Sequence, residues 1–273
     1  MKRITFLAFL IIVAIIACSK SSNSSSSTID GSTNNDFSLL YAKMYNIKSI
    51  DTSSSTVVII KTTDVPDHKT PFFGKTSANY EAYNGDNPNF STTINLMGTI
   101  SDPTLLSQSL TFTIPRRPVM ASSHQATSGG PIGIARNGVC FFDQYNGNGS
   151  ALGSLEINNA DQYLGHPTPS AAGAQYHYHY EPKWLTTKFG NASFMGFLKD
   201  GFPVYGPYEN GVKITAADLD VYHGHTSTTE DYPNTKIYHY HVVSSNSSVP
   251  DSLEKAAPYI NGGSYYGTPG TVN

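Results

Sequence analysis

Tyr238-His239-Tyr240-His241-Val242-Val243 is a run of aromatic, imidazole and β-branched side chains that reads as an extended strand. Successive side chains of a strand point to opposite faces, so Tyr238 and Tyr240 share one face while His239 and His241 share the other. The same tetrapeptide stands earlier, at Tyr176-His177-Tyr178-His179. Further β-branched or aromatic stretches occur at residues 57–60, 93–100, 110–114 and 133–142, separated by clusters of Gly, Pro, Asn and Asp. Helix signals are short: residues 215–219 with Thr215 as N-cap, residues 252–257, and residues 183–189 after Pro182. With 18 Tyr and 13 Phe and no Leu-rich periodic helix, the chain reads as mainly β, a sandwich or barrel-like single domain with long loops and a few short helices. No repeat of 20 to 50 residues is visible beyond the doubled tetrapeptide.

The N-terminus has a different character. Lys2 and Arg3 precede an uncharged apolar run from Ile4 to Ala17, shorter than the ~20 residues that span a bilayer. Ile15-Ile16-Ala17-Cys18 then matches a lipobox. Residues 1–17 are therefore expected to be a lipoprotein signal peptide, with Cys18 acylated and inserted in the lipid bilayer. Residues 18–36, rich in Ser and Asn, form a tether that cannot bury enough apolar area to fold. Residues 37–273 form the β-domain, with its motif-bearing core at about 115–273. The expected location is the cell envelope, at the outer membrane or cell surface rather than the inner membrane.

Charged residues make up 14% of the chain and the net charge is -3, which argues against a nucleic-acid partner. With Cys18 acylated, Cys140 is the only other cysteine, so no intramolecular disulfide is available. Its neighbours Val139, Phe141 and Phe142 mark it as a buried, inert thiol.

Six of the nine histidines fall in three His-x-His pairs: His177 with His179, His223 with His225, and His239 with His241. On a strand each pair places two imidazoles on one side, about 6 to 7 Å apart. Neutral imidazole ligates zinc, copper, nickel or iron, and a site needs three or four donors at about 2.0 to 2.2 Å. Two such strands side by side would supply four donors to one ion. The pattern also admits metal-free acid/base histidines or a purely structural polar network. Glu156, Asp161, Asp200 and Asp220 lie among the same motifs, as carboxylates that either orient the histidines or share acid/base work. Turns and a solvated surface account for them equally well.

The chain resembles the YHYH-domain family. The resemblance rests on an ordered series: Val65-Pro66-Asp67-His68, Ile114-Pro115-Arg116, residues 132–139, Gly165-His166-Pro167, residues 175–179, residues 200–207, residues 219–226 and residues 238–242. It spans about residue 55 to the C-terminus, implies one domain, and adds His68 and His166 to the motif set. Ile260-Asn261-Gly262-Gly263-Ser264-Tyr265 lacks the cysteine usual near the family's end. His223 stands where other members carry a different polar residue, so His225 is the better ligand. The resemblance brings no activity with it.

The leading functional expectation is an extracytoplasmic domain binding copper or zinc through His68, His166, His177, His179, His225, His239 and His241. One alternative is a metal-assisted or acid/base hydrolase or lyase acting on an extracellular polymer. The other is a non-catalytic glycan-binding or adhesion module that presents its tyrosines. Gly-x-Ser-x-Gly, P-loop, dinucleotide and His-Glu-x-x-His signatures are absent from the sequence.

Overall fold

The structure is a computed structural model that describes residues 36–92, 105–127, 129–243 and 259–273. All of these lie in the unit Gly31–Asn273. The expected signal peptide, Cys18 and most of the expected tether lie outside the described residues, as do the expected strand at 93–100 and the expected helix at 252–257.

The strands in chain order are β1 (Ser49–Asp51), β2 (Val57–Thr62), β3 (Leu110–Pro115), β4 (Gly133–Ala135), β5 (Cys140–Phe141), β6 (Gly165–Pro167), β7 (Tyr176–Tyr178), β8 (Phe194–Leu198), β9 (Pro203–Tyr205), β10 (Tyr208–Glu209), β11 (Val212–Lys213), β12 (Gly224–Ser227), β13 (Ile237–His241) and β14 (Thr271–Val272). Three short α-helices accompany them: α1 (Ser38–Tyr41), α2 (Ser154–Ile157) and α3 (Lys183–Phe189). The helix read at 183–189 is α3. The signal at Thr215 is a 3-10 turn in which the Thr215 amide and hydroxyl both donate to Asp218.

Four strands pair in the order β1-β2-β3-β14, and eight in the order β12-β13-β9-β8-β4-β5-β7-β6. Both sheets are open, which removes the barrel alternative and leaves a sandwich-like arrangement. The inward residues Val58, Ile60, Phe112 and Ile114 of the small sheet share one buried cluster with Ile134, Phe197, Val204, Tyr178 and Tyr240 of the large one. Cys140 lies in this cluster with no exposure, and burial pushes its thiol well above the ordinary range, as expected of an inert core residue.

The large sheet is built twice. Its order is palindromic: β4, β5, β6 and β7 form one half, and β8, β9, β12 and β13 repeat their pairings in the other. In each half the first two strands are antiparallel, the second is parallel to the Tyr-His-Tyr-His strand, and the Gly-His strand closes the edge. The halves meet where β4 and β8 run antiparallel, with Ile134 opposite Phe197, Gly133 opposite Leu198 and Ala135 opposite Gly196. A local twofold axis requires such pairing. With the structure as guide the repeat is visible in the chain, since Gly133-Ile134-Ala135-Arg136-Asn137-Gly138 corresponds to Gly196-Phe197-Leu198-Lys199-Asp200-Gly201. Asp161 through His166 likewise correspond to Asp220 through His225. Gly138 (φ 80°) and Gly201 (φ 86°) turn both hairpins through the left-handed region. The doubled tetrapeptide is thus the most conspicuous part of a duplication longer than the repeats considered above.

Tyrosines from the two motifs fill the core side and are anchored by aspartates, Asp161 buried and Asp220 exposed. The Tyr176 hydroxyl donates to Asp161 (2.7 Å) and the Tyr238 hydroxyl to Asp220 (2.9 Å). Glycine is required at 165 and 224, because a Cβ there would run into these hydroxyls. The next tyrosines differ between halves. Tyr178 accepts from Asn137 (3.3 Å), whereas Tyr240 donates to Asp200 (2.6 Å).

Burial raises the Asp200 carboxyl from 3.8 to about 6, despite donors from Tyr240 and the amides of Gly267 and Phe202. With the folded value above the unfolded one, this group favours the fold fully below 3.8, and that contribution is lost as pH rises through about 6. Asp200→Asn installs the residue type that the other half carries as Asn137. It is expected to flatten the pH dependence of stability between pH 4 and 6.5 by about 3 kcal/mol. Urea unfolding across that range measures the slope, and an unchanged slope would contradict the assignment.

Candidate functional site

The histidines occupy the face of the large sheet opposite the tyrosines, and there the duplication produces two centres. In the first, His166 on the edge strand β6 stands directly opposite His177 on β7, and His179 follows two residues along. In the second, His225 on the edge strand β12 stands opposite His239 on β13, with His241 two residues along. Cross-strand neighbours and i, i+2 positions share a face, so each centre is a triangle of imidazoles dictated by register. His166, His177 and His179 form one group whose possible ligand atoms all lie within 4.8 Å of one another; Glu209, His225, His239 and His241 form another.

This arrangement corrects the expectation that both Tyr-His-Tyr-His strands contribute to a single ion. Strands β9, β8, β4 and β5 separate β13 from β7. At about 4.8 Å per strand, roughly 24 Å of sheet lies between the two motif strands. Each centre is instead completed by a Gly-His edge strand.

The ring nitrogens show what the centres lack. His177 Nδ1 donates to the Gln175 carbonyl (2.9 Å) and His179 Nδ1 to that of Asp143. A proton on each Nδ1 leaves both Nε2 atoms as bare lone pairs, and these face each other at 2.9 Å. His166 Nδ1 points to the Asn159 side-chain oxygen (3.3 Å), leaving His166 Nε2 buried without a partner. Three lone pairs therefore converge. Protonation does not relieve them readily: burial pushes His166 and His177 well below the ordinary histidine range and His179 to about 4.

The second centre repeats the pattern. His239 Nδ1 donates to the Ile237 carbonyl (3.0 Å) and His241 Nδ1 to the Gly206 carbonyl (2.6 Å), with the two Nε2 atoms again 2.9 Å apart. Burial lowers His241 to about 3. Glu209 brings one carboxylate to all three rings: Oε1 is 3.1 Å from His239 Nε2 and 4.0 Å from His241 Nε2, and Oε2 is 3.5 Å from His225 Nε2. Burial would raise Glu209, but its contacts with the His239 ring and the Ser227 hydroxyl hold it down to about 2. A negative charge thus faces the imidazoles, and a metal ion would balance it.

The remaining candidates serve other purposes. His68 belongs to neither group: its Nδ1 donates to the Lys69 carbonyl (3.1 Å) and its Nε2 accepts from the Tyr178 hydroxyl (3.1 Å), which makes it a satisfied core histidine. His223 is separated from His225 because β12 begins only at Gly224. It sits in the preceding turn at φ 68°, as Leu164 does at 61°, and its Nδ1 donates to the Tyr259 carbonyl. Asp161, Asp200 and Asp220 hold tyrosine hydroxyls rather than histidine rings, which are oriented mostly by backbone carbonyls. Glu156 lines a cavity beside the first centre. Glu209 is the residue that sequence reasoning missed. Asn210 (φ 49°) and Gly211 (φ 80°) form the turn between β10 and β11, and Asn-Gly is a hairpin signal that could have placed Glu209 on a strand.

The YHYH protein family model matches residues 111–215 of this chain. The match runs from β3 through β11. It holds the whole first centre and Glu209, while His225, His239 and His241 lie beyond it. No curated protein and no solved structure matches the chain. Among the described residues no helix is long and apolar enough to cross a membrane.

Proposed function

We propose that the protein is a membrane-anchored extracytoplasmic domain that binds two transition-metal ions, one in each half of its duplicated sheet. The observation that supports this most directly is the pair of facing Nε2 atoms on His177 and His179, 2.9 Å apart with each Nδ1 committed to a carbonyl. Two buried lone pairs in contact repel unless a cation lies in front of them. Around a tetrahedral ion, nitrogens at about 2.0 to 2.1 Å stand about 3.3 Å from one another, close to the spacing seen. The rings are already oriented through their second nitrogens, as ligating histidines usually are.

Three imidazoles at one centre and three imidazoles plus a carboxylate at the other suit zinc or copper, which favour nitrogen donors. Acylated Cys18 and the Ser/Asn-rich tether would hold the domain at the envelope. Elemental analysis of purified protein, before and after reconstitution, tests the reading. About two equivalents of zinc or copper per chain are expected, and persistent absence of bound metal after reconstitution would overturn it.

A further inference from the structure

Although the sheet is duplicated, its two centres are finished differently. The second centre carries a fourth donor, Glu209, which reaches all three of its rings. The first has three imidazoles and no carboxylate within the 4.8 Å group. Beside the first lies a cavity of about 380 Å³, whose wall includes His166, His177, His179, Phe142, Tyr145 and Glu156. Glu156 is 9% exposed, and its Oε2 is buried without a hydrogen-bond partner. This carboxylate therefore stands off from the imidazoles across a space they share. Four protein donors close a tetrahedral ion, whereas three leave a position for an exogenous ligand.

We propose that only the first centre exchanges ligands: its metal keeps one coordination position open to the cavity, and a small oxygen-donor molecule with a proton to donate binds there, between metal and Glu156 Oε2. The class includes water, hydroxamates and weak acids carrying a compact body, since the rest of the wall joins Phe142, Tyr145, Pro169 and three glycines with Asn146, Asn148 and Thr168. Glu156 contributes the hydrogen bond that a ligand-free cavity leaves unmade. Glu209 and His241 of the second centre also line a cavity, a smaller one of about 190 Å³, but there the fourth donor closes the ion and no ligand turns over. This inference rests on the metal reading above and extends it to what the first site takes up.

Acetohydroxamate titrated into the full-length protein loaded with cobalt(II) tests it, with cobalt content determined beforehand. Two cobalt ions and one acetohydroxamate per chain are expected, the probe shifting the visible absorption of one ion and leaving that of the other unchanged. Glu156→Gln should keep both cobalt ions but weaken the probe by about tenfold, on the order of one buried hydrogen bond. His241→Ala should lose one cobalt and keep the probe response. Two bound cobalt ions with no response, with equal response at both sites, or with full affinity in Glu156→Gln would overturn the open site while leaving the metal reading standing. Failure to bind cobalt or any other transition metal would overturn both.

Discussion

Chelation of the metal-loaded protein is expected to lower its thermal unfolding midpoint by about 10 to 20 °C. A ligand that binds only the folded state at 100 times its dissociation constant contributes about 2.7 kcal/mol, so two independent sites contribute about 5 kcal/mol. For a domain of this size each kcal/mol moves the midpoint by about 2 to 4 °C. The expectation follows from where the donors sit. In the folded protein His166, His177 and His179 are 2–3% exposed and His239 and His241 are 0–1% exposed, whereas the unfolded chain scatters them. Metal binding and folding are then one equilibrium. Differential scanning calorimetry with and without a chelator measures the shift, and a midpoint insensitive to chelator would speak against ions at these centres.

The second large effect is selective loss. His179→Ala and His241→Ala should each remove one metal equivalent and leave the other in place, because roughly 24 Å of sheet lies between the two motif strands and sites more than about 10 Å apart act additively. Affinity at the altered centre should fall by more than the 10- to 100-fold that loss of an outer partner of a ligand costs. Metal content after dialysis against a buffered metal pool reads this out for each variant. A single substitution that empties both centres, in a protein that remains folded by circular dichroism, would show that the histidines do not form two separate sites.

Much of this arrangement was legible in the residues. The strands at β2, β3 and β13, the helix α3 and the opposed tyrosine and histidine faces all follow from side-chain type and the two-residue period of a strand. The histidines of the candidate centres were also marked by motif, His166 through the Gly-His-Pro segment of the YHYH resemblance. What could not be read was which strands become neighbours. β5 pairs with β7 and β9 with β13 across long loops, and no local pattern specifies such contacts. The single shared ion was therefore the natural expectation, and only strand order shows that the motifs lie on opposite sides of the axis at Ile134 and Phe197.

Other parts were hidden by brevity or by sequence drift. Strands such as Gly165–Pro167 and Pro203–Tyr205 are three residues long and contain proline, so they carry almost no strand signal of their own. The duplication was obscured because its halves diverge where the core permits: Cys140 against Pro203, Phe142 against Tyr205, Asn137 against Asp200. Asp161, Asp200 and Asp220 read as partners of histidine because a sequence does not say which face a carboxylate reaches. Their hydrogen bonds to tyrosine place them under the sheet, where they fix the strands that carry the imidazoles.

Each half of the sheet is proposed to hold one metal ion on its histidine face. Anomalous diffraction from crystals of the reconstituted protein, recorded on both sides of the zinc or copper absorption edge, decides between one, two or no such ions. Two peaks are predicted, one bounded by His166, His177 and His179 and the other by Glu209, His225, His239 and His241. Reconstituted crystals with neither peak, or with their metal at some other place on the chain, would contradict it.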